Sequence, residues 1–213
     1  MQRIILASGS ARRRELLGRL GVEFEVKESG YDETGIKTDD PAELVTELAI
    51  QKSLAVAKLE TDALIMGGDT IVVVKGEIVG KPKDEADAER MLRLLSGTKH
   101  QVISGLALVN SLTGDQLAGH EEGGVKFKEL TEAEINKYVK SGMWKGFAGG
   151  YAIQGAAAPF IVEQTGSLSA IVGFPVVLAT ELLEQMGVMV EIDPIELEIE
   201  IKKELPLERL YGG

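Results

Sequence analysis

The chain has 213 residues, 44% hydrophobic and 27% charged, which suits one large domain or two small lobes around a shared core and excludes a disordered chain. With 34 acidic against 23 basic residues the formal net charge is −11, so nucleic acid is a poor partner, and a polyphosphate ligand needs its own Arg/Lys cluster with a divalent cation. No cysteine and only two histidines exclude a disulfide framework, a thiolate or all-His metal site and a Cys nucleophile, which leaves the chemistry to Asp, Glu, Ser, Thr, Lys and Arg.

The first element is the apolar run Ile4–Ala7, too short for a signal peptide, and no run reaches the roughly 18 apolar residues of a membrane span, so a cytoplasmic protein without a membrane partner is expected. The run stops at Ser8-Gly9-Ser10, after which Leu16, Leu17 and Leu20 recur at helical spacing. Val22–Val26 alternates as a half-buried strand and Tyr31–Asp40 is a polar loop. A helix is predicted from Pro41 to near Leu59, with Val45, Leu48, Ala55 and Leu59 on one face. Ala63–Met66 is a buried strand running into Gly67-Gly68-Asp69-Thr70; the strand resumes over Ile71–Val74, turns at Lys75-Gly76 and returns through Glu77–Val79 to Gly80-Lys81-Pro82. Asp84 caps a helix through Leu95, Gln101–Val109 and Leu117–Phe127 are antiparallel strands about Thr113-Gly114-Asp115, and Thr131 with Glu134 forms a capping box for a helix to about Ser141. Gly142–Gly155, with five glycines and the only tryptophan, reads as a binding loop. Phe160–Val162 and Ser167–Val172 read as strands, Pro175 opens a helix through Met186, and Ile195–Ile201 in the acidic tail alternates as a strand. Crossovers mixed with hairpins predict an α/β class, a mixed central sheet flanked by helices.

Three arginines, Arg12, Arg13 and Arg14, fall in the first turn of a helix, the positive end of its dipole, where each is unfavourable by a few tenths of a kcal/mol. A phosphate there removes the conflict, with Ser8 and Ser10 hydroxyls and backbone N–H groups beside the guanidinium groups; a solvated helix start capped by Ser10 is the plain alternative. Lys52 falls at the core-facing spacing of its helix, so it either snorkels to water or reaches a phosphate cleft from the buried side. Asp69 follows a buried strand and two glycines, a strand end where ligands gather, or else a bulge in which Asp69 caps its own backbone. Glu33 lies in the polar loop; Gly80-Lys81-Pro82 lacks the Ser or Thr of a Walker loop, and no dinucleotide fingerprint follows a strand.

Taken in order, Leu6–Leu17 with its Ser8-Gly9-Ser10-Ala11-Arg12-Arg13 core, Gly68-Asp69-Thr70-Ile71-Val72, Gly80-Lys81-Pro82-Lys83-Asp84, Leu95-Ser96-Gly97 and Tyr151-Ala152-Ile153-Gln154-Gly155 resemble the Maf nucleotide pyrophosphatases from about Ile4 to Met186. The resemblance implies two lobes around a cleft, a fold like that of the inosine triphosphate pyrophosphatases, and hydrolysis of a nucleoside triphosphate to monophosphate and pyrophosphate with a divalent cation, Mg²⁺ or Mn²⁺. By motif it implies phosphate binding by Ser8, Arg12 and Arg13, catalytic roles for Lys52, Lys81 and Asp69 (proton acceptor or metal ligand), and Glu33 beside Asp69 at the metal.

Arg12, Thr70 and Gln154 are similar to the branch acting on dTTP and UTP rather than the branch acting on 7-methyl-GTP, which has Trp, Gln and Glu at these places. An amide offers an acceptor and donors that match the N3–H and carbonyls of thymine or uracil, whereas a carboxylate suits the guanine edge. Pseudo-UTP and 5-methyl-UTP present a similar edge, which fits a house-cleaning role. The alternatives are a purine enzyme acting on ITP or 7-methyl-GTP, or a nucleotide-binding regulator of septum formation without turnover. Ala11 replaces the usual Pro, which loosens the preset φ at the helix start but removes no functional group, and Gly149-Gly150 replaces the commoner Gly-Ala, from which a more mobile late loop is expected. Residues 1–187 are expected to form the Maf-like domain, and 188–213 a strand-like extension packed on it as an edge strand, a homodimer contact or a surface hairpin.

Overall fold

Alternation along the central strands decides which helices each side chain meets. The computed structural model describes residues 2–36 and 38–204, with β1 (Arg3–Leu6), α1 (Ala11–Arg19), β2 (Glu25–Val26), α2 (Pro41–Ala57), β3 (Ala63–Val74), β4 (Glu77–Val79), α3 (Glu85–Leu95), β5 (Lys99–Asn110), β6 (Gln116–Phe127), α4 (Glu132–Ser141), β7 (Ile161–Gly166), α5 (Leu168–Val172), α6 (Val176–Gln185) and α7 (Pro194–Glu204). The seven strands form one mixed sheet in the order β2-β1-β3-β5-β6-β7, with β4 paired to β3. β1 runs parallel to β2 and β3, and the other pairs are antiparallel. This is the mixed α/β architecture expected from the sequence.

Ile5, Ile65, Ile71 and Ile103 point to the face covered by α2, where Val45 and Val56 meet them. Leu6, Leu64, Met66, Val72 and Leu106 point the other way, into the larger core with Leu16, Leu17, Leu92 and Phe174. Burial on both faces explains the apolar runs Ala63–Met66 and Ile71–Val74 of β3 and Leu106–Val109 of β5. α2 starts where Asp40 accepts from the Ala42 and Glu43 N–H groups and Pro41 supplies a preset φ. Its buried face is Val45, Leu48, Ala49, Lys52, Ser53 and Val56. Ala55 is half-buried and Leu59, expected on that face, is 82% exposed because the helix has already ended at Ala57.

Four further expectations are corrected. Only Glu25–Val26 of the segment 22–26 pairs as strand, because β1 offers it two partners, Ile5 and Leu6. Gly67–Thr70 interrupts nothing: β3 is one twelve-residue strand in unbroken register with β5, so Asp69 is mid-strand and no bulge forms there. Ser167–Val172 is helix, because the Ser167 Oγ caps the Ala170 N–H and Gly173 ends the turn at φ 109. Residues 194–204 are also helix: Asp193 accepts from the Ile195 N–H, Pro194 opens the turn, and Leu197 and Ile201, four apart, enter the main core. The edge-strand and hairpin readings of the tail fall with that finding, and its last residues, 205–213, lie outside the described residues.

Candidate active site

The site forms where β3 loses its neighbour. β1 ends at Leu6, with a last link from the Ala7 N–H to the Met66 carbonyl at 2.8 Å, and β4 joins β3 only at Val72. Among the described residues Gly67–Ile71 has no strand partner on that edge, and a cavity of about 700 Å³ opens beside it. One wall comes from the β1–α1 loop and residues 28–33, and the other from the late loop around Phe147 and the last turn of α5.

Glycines bring α2 onto the sheet. A Cβ on Gly67 would lie 2.5 Å from Ser53 Oγ and 2.7 Å from the Ala49 carbonyl, and one on Gly105 would lie 2.5 Å from the Val45 carbonyl. With no side chain at either place, Lys52 of α2 reaches Asp69, two residues along β3 from Gly67 and directly opposite Gly105. Its Nζ lies 2.6 Å from Asp69 Oδ1 and 2.7 Å from Glu33 Oε1, with Lys52 and Asp69 only 8% and 7% exposed. Glu33 is delivered by a short 3₁₀ turn whose cap, Asp32, accepts from the Thr34 N–H at 3.0 Å. Burial works to raise the Glu33 carboxyl, but the Lys52 hydrogen bond and the charges of Lys52, Lys81 and Arg13 outweigh it and hold it below the ordinary carboxylate value.

On the opposite face of β3 the next residue, Thr70, meets Arg13. The Arg13 guanidinium donates to the Gly173 carbonyl (3.0 Å), Ser8 Oγ (3.2 Å), the Gly68 carbonyl (2.7 Å) and Thr70 Oγ1 (3.0 Å). Four of its five N–H donors are thereby used on the protein. Ser104 Oγ donates to the Ala170 carbonyl at 2.7 Å, so Thr70 Oγ1, 2.8 Å away, must donate to Ser104. The Thr70 hydroxyl is thus engaged on both sides within the protein. Arg12 lies over the Phe147 ring at 4.5 Å, a cation–π contact between the two walls. Burial lowers the pKa of both guanidinium groups, and both remain protonated at neutral pH.

Five basic side chains, Arg12, Arg13, Lys52, Lys81 and Lys145, share the cavity with three carboxylates, Glu28, Glu33 and Asp69, so the local charge is opposite to that of the whole chain. The same cavity is also lined by Val72, Val102, Tyr151, Ile153, Ile171 and Val172. Charged and apolar lining together suit a ligand with a polyanionic tail and a flat ring. The model of the family described as Maf-like protein matches residues 3–186. This chain belongs to the Maf family.

Curated relatives of this Maf chain include the dTTP/UTP pyrophosphatase of Symbiobacterium thermophilum, 45% identical over 187 residues, covering 88% of this chain and 95% of that protein. The dTTP/UTP pyrophosphatase of Deinococcus radiodurans is 47% identical over 186 residues, covering 87% and 94%. Among solved structures, the Ham1 protein of Staphylococcus aureus has a TM-score of 0.44 at 19% identity, covering 59% of this chain and 72% of that one.

The structure gathers Ser8, Arg12, Arg13, Glu33, Lys52, Asp69, Thr70 and Lys81 of the Maf chain around one cavity. Gln154 is half-buried just past Ile153 and is not part of the lining. Glu28, Tyr31, Lys145 and Phe147 line the cavity without having been singled out from sequence. The last two lie in the glycine-rich loop read as a binding loop, whereas nothing in the pattern around Glu28 marks it. Among the described residues no three carboxylates or histidines are set to hold a metal.

Proposed function

We propose that this Maf chain hydrolyses dTTP and UTP to the nucleoside monophosphate and pyrophosphate, a house-cleaning reaction that extends to pseudo-UTP and 5-methyl-UTP. The observation that carries this reading is the Asp69–Lys52–Glu33 cluster at the unpaired stretch of β3, in a cavity that holds Arg12, Arg13, Lys81 and Lys145 together with apolar side chains. The names of the curated relatives support the substrate class.

Asp69 orients the attacking water and accepts its proton; the water oxygen bonds to phosphorus as the bridge between the α- and β-phosphoryl groups breaks and pyrophosphate leaves. Lys52 holds the Asp69 carboxylate in place through their 2.6 Å contact and, with Arg12 and Lys81, offsets charge on the departing group. Arg13 has one N–H left for a phosphate oxygen and otherwise fixes Ser8 and β3. Glu33 and Asp69, the two carboxylates that meet Lys52, are the residues that would hold a divalent ion, and Asp69 so held would orient the water without taking its proton. Such an ion supplies Lewis-acid stabilisation of the phosphoryl oxygens. Reading of the pyrimidine edge is assigned to the Gln154 amide by the family motif alone, since Gln154 follows the lining residue Ile153 and lies outside the lining itself; Arg12 fixes Phe147 at the other wall, and Thr70 acts on base choice through the wall it holds.

The test is turnover of dTTP, UTP, CTP, GTP, ITP and 7-methyl-GTP with Mg²⁺ or Mn²⁺, with products separated by chromatography and a chelator control. Pyrimidine monophosphate plus pyrophosphate, lost on chelation, is expected. Turnover of purine nucleotides alone would refute the base reading, and nucleotide binding without turnover would refute the enzyme.

A further inference from the structure

α7 lies beyond the segment matched by the family, and its contacts lead to the cavity wall. Leu197 and Ile201 seat it in the core, and Glu200 and Glu204 pair with Arg19 at the end of α1. From the same helix the Glu198 carboxylate accepts from the Leu168 N–H and, at 3.1 Å, from the Ser169 N–H, the first two amides of α5. α5 has five residues, far too few to be stable alone, so its position depends on what grips it. The grips are Glu198 at its start, Ser104 Oγ on the Ala170 carbonyl in its middle and Arg13 Nε on the Gly173 carbonyl at its end. Ile171, Val172 and Gly173 of this braced turn line the cavity, the first two with apolar side chains and Gly173 beside Arg13.

We infer that Glu198, in the C-terminal extension, is a positioning residue that sets the nucleobase wall through α5, an inference that rests on the pyrophosphatase reading for its ligand. A carboxylate at the positive end of α5 satisfies two amides that otherwise lack helical partners, so its loss loosens the turn whose far end meets the base. Glu198→Ala should raise amide exchange over residues 168–173 about tenfold, and should lower kcat/KM for dTTP relative to GTP about fivefold through KM, with kcat within about twofold. Glu198→Gln, which keeps one acceptor, should recover most of both effects. Glu200→Ala, which removes a surface ion pair of the same helix, should leave both at the parental value.

If the Ala variant does not accumulate, Glu198→Asp, too short to reach both amides, should shift both readouts in the same direction. Parental exchange and parental nucleotide preference in Glu198→Ala or Glu198→Asp would overturn the inference. So would faster exchange, or a lower Tm, with an unchanged preference, because a purely structural brace scales all substrates alike. If the parent turns over no nucleotide, the pyrophosphatase reading fails by itself, and the preference is then read as the ratio of dissociation constants for the α,β-imido analogues of dTTP and GTP.

Discussion

Lys52 illustrates what a single position discloses. Its place on the core face of α2 is legible from spacing, since it falls seven residues after Val45, and a lysine there demands an acid or a phosphate. Which acid answers it is not legible, because Asp69 and Glu33 come from segments that meet only through the packing of α2 on Gly67 and Gly105. Arg13 was legible as a cation near anions but not as a clamp, because two of its four acceptors are backbone carbonyls, which carry no sequence signature. His100 has no role in the chemistry, yet it governs pH dependence: buried at 2% exposure with Nε2 2.7 Å from the Tyr151 hydroxyl, it is pushed down to about 4 by burial. The folded value lies below the unfolded 6.5, so between pH 6.5 and 4 the unfolded chain takes up a proton that the fold refuses, and stability falls as pH falls. The loss reaches about 3 kcal/mol by pH 4. Urea unfolding of the parent and of His100→Gln over this range should show that part of the slope vanish in the variant; parallel curves would mean that His100 titrates normally.

Local punctuation makes some elements readable and leaves others hidden. The caps at Asp40, Asp84 and Thr131 each act on amides two or three residues away, so α2, α3 and α4 are announced by their own sequence. The alternation Ile195–Ile201 satisfies a strand as well as a helix, and only Asp193-Pro194 before it and Lys202-Lys203 after it mark the helix ends. α5 is shorter still, and tertiary grips rather than propensity hold it. The approach of α2 to β3 is the geometry most exposed to a small change. Gly67→Ala puts a methyl against Ser53 Oγ and the Ala49 carbonyl at 2.5 and 2.7 Å, and backbone cannot rotate away. Urea unfolding should show a loss of about 2–3 kcal/mol, with turnover reduced because Lys52 moves with its helix. Full stability with full turnover would mean that α2 is not seated on that glycine.

The molecule as a whole places a charged centre in the side of a sheet rather than at its end. That arrangement was hidden from sequence, where Gly67-Gly68-Asp69-Thr70 looks like a strand stopping and starting; the stop belongs to β1, and β3 continues past it. Placing the unpaired edge between β1 and β4 exposes one strand to two faces: Asp69 meets α2, while Thr70 and Gly68 meet Arg13. A chain of net charge −11 thereby concentrates five cations where a triphosphate would lie. None of the described helices is long and apolar enough to cross a membrane. The decisive measurement is pyrophosphate release from dTTP by Asp69→Asn beside the parent, with thermal unfolding of both. A rate lower by about 10³-fold or more, with Tm within about 5 °C, is predicted for a carboxylate that accepts the proton; turnover above about a tenth of the parent would contradict the assignment of the chemistry to Asp69.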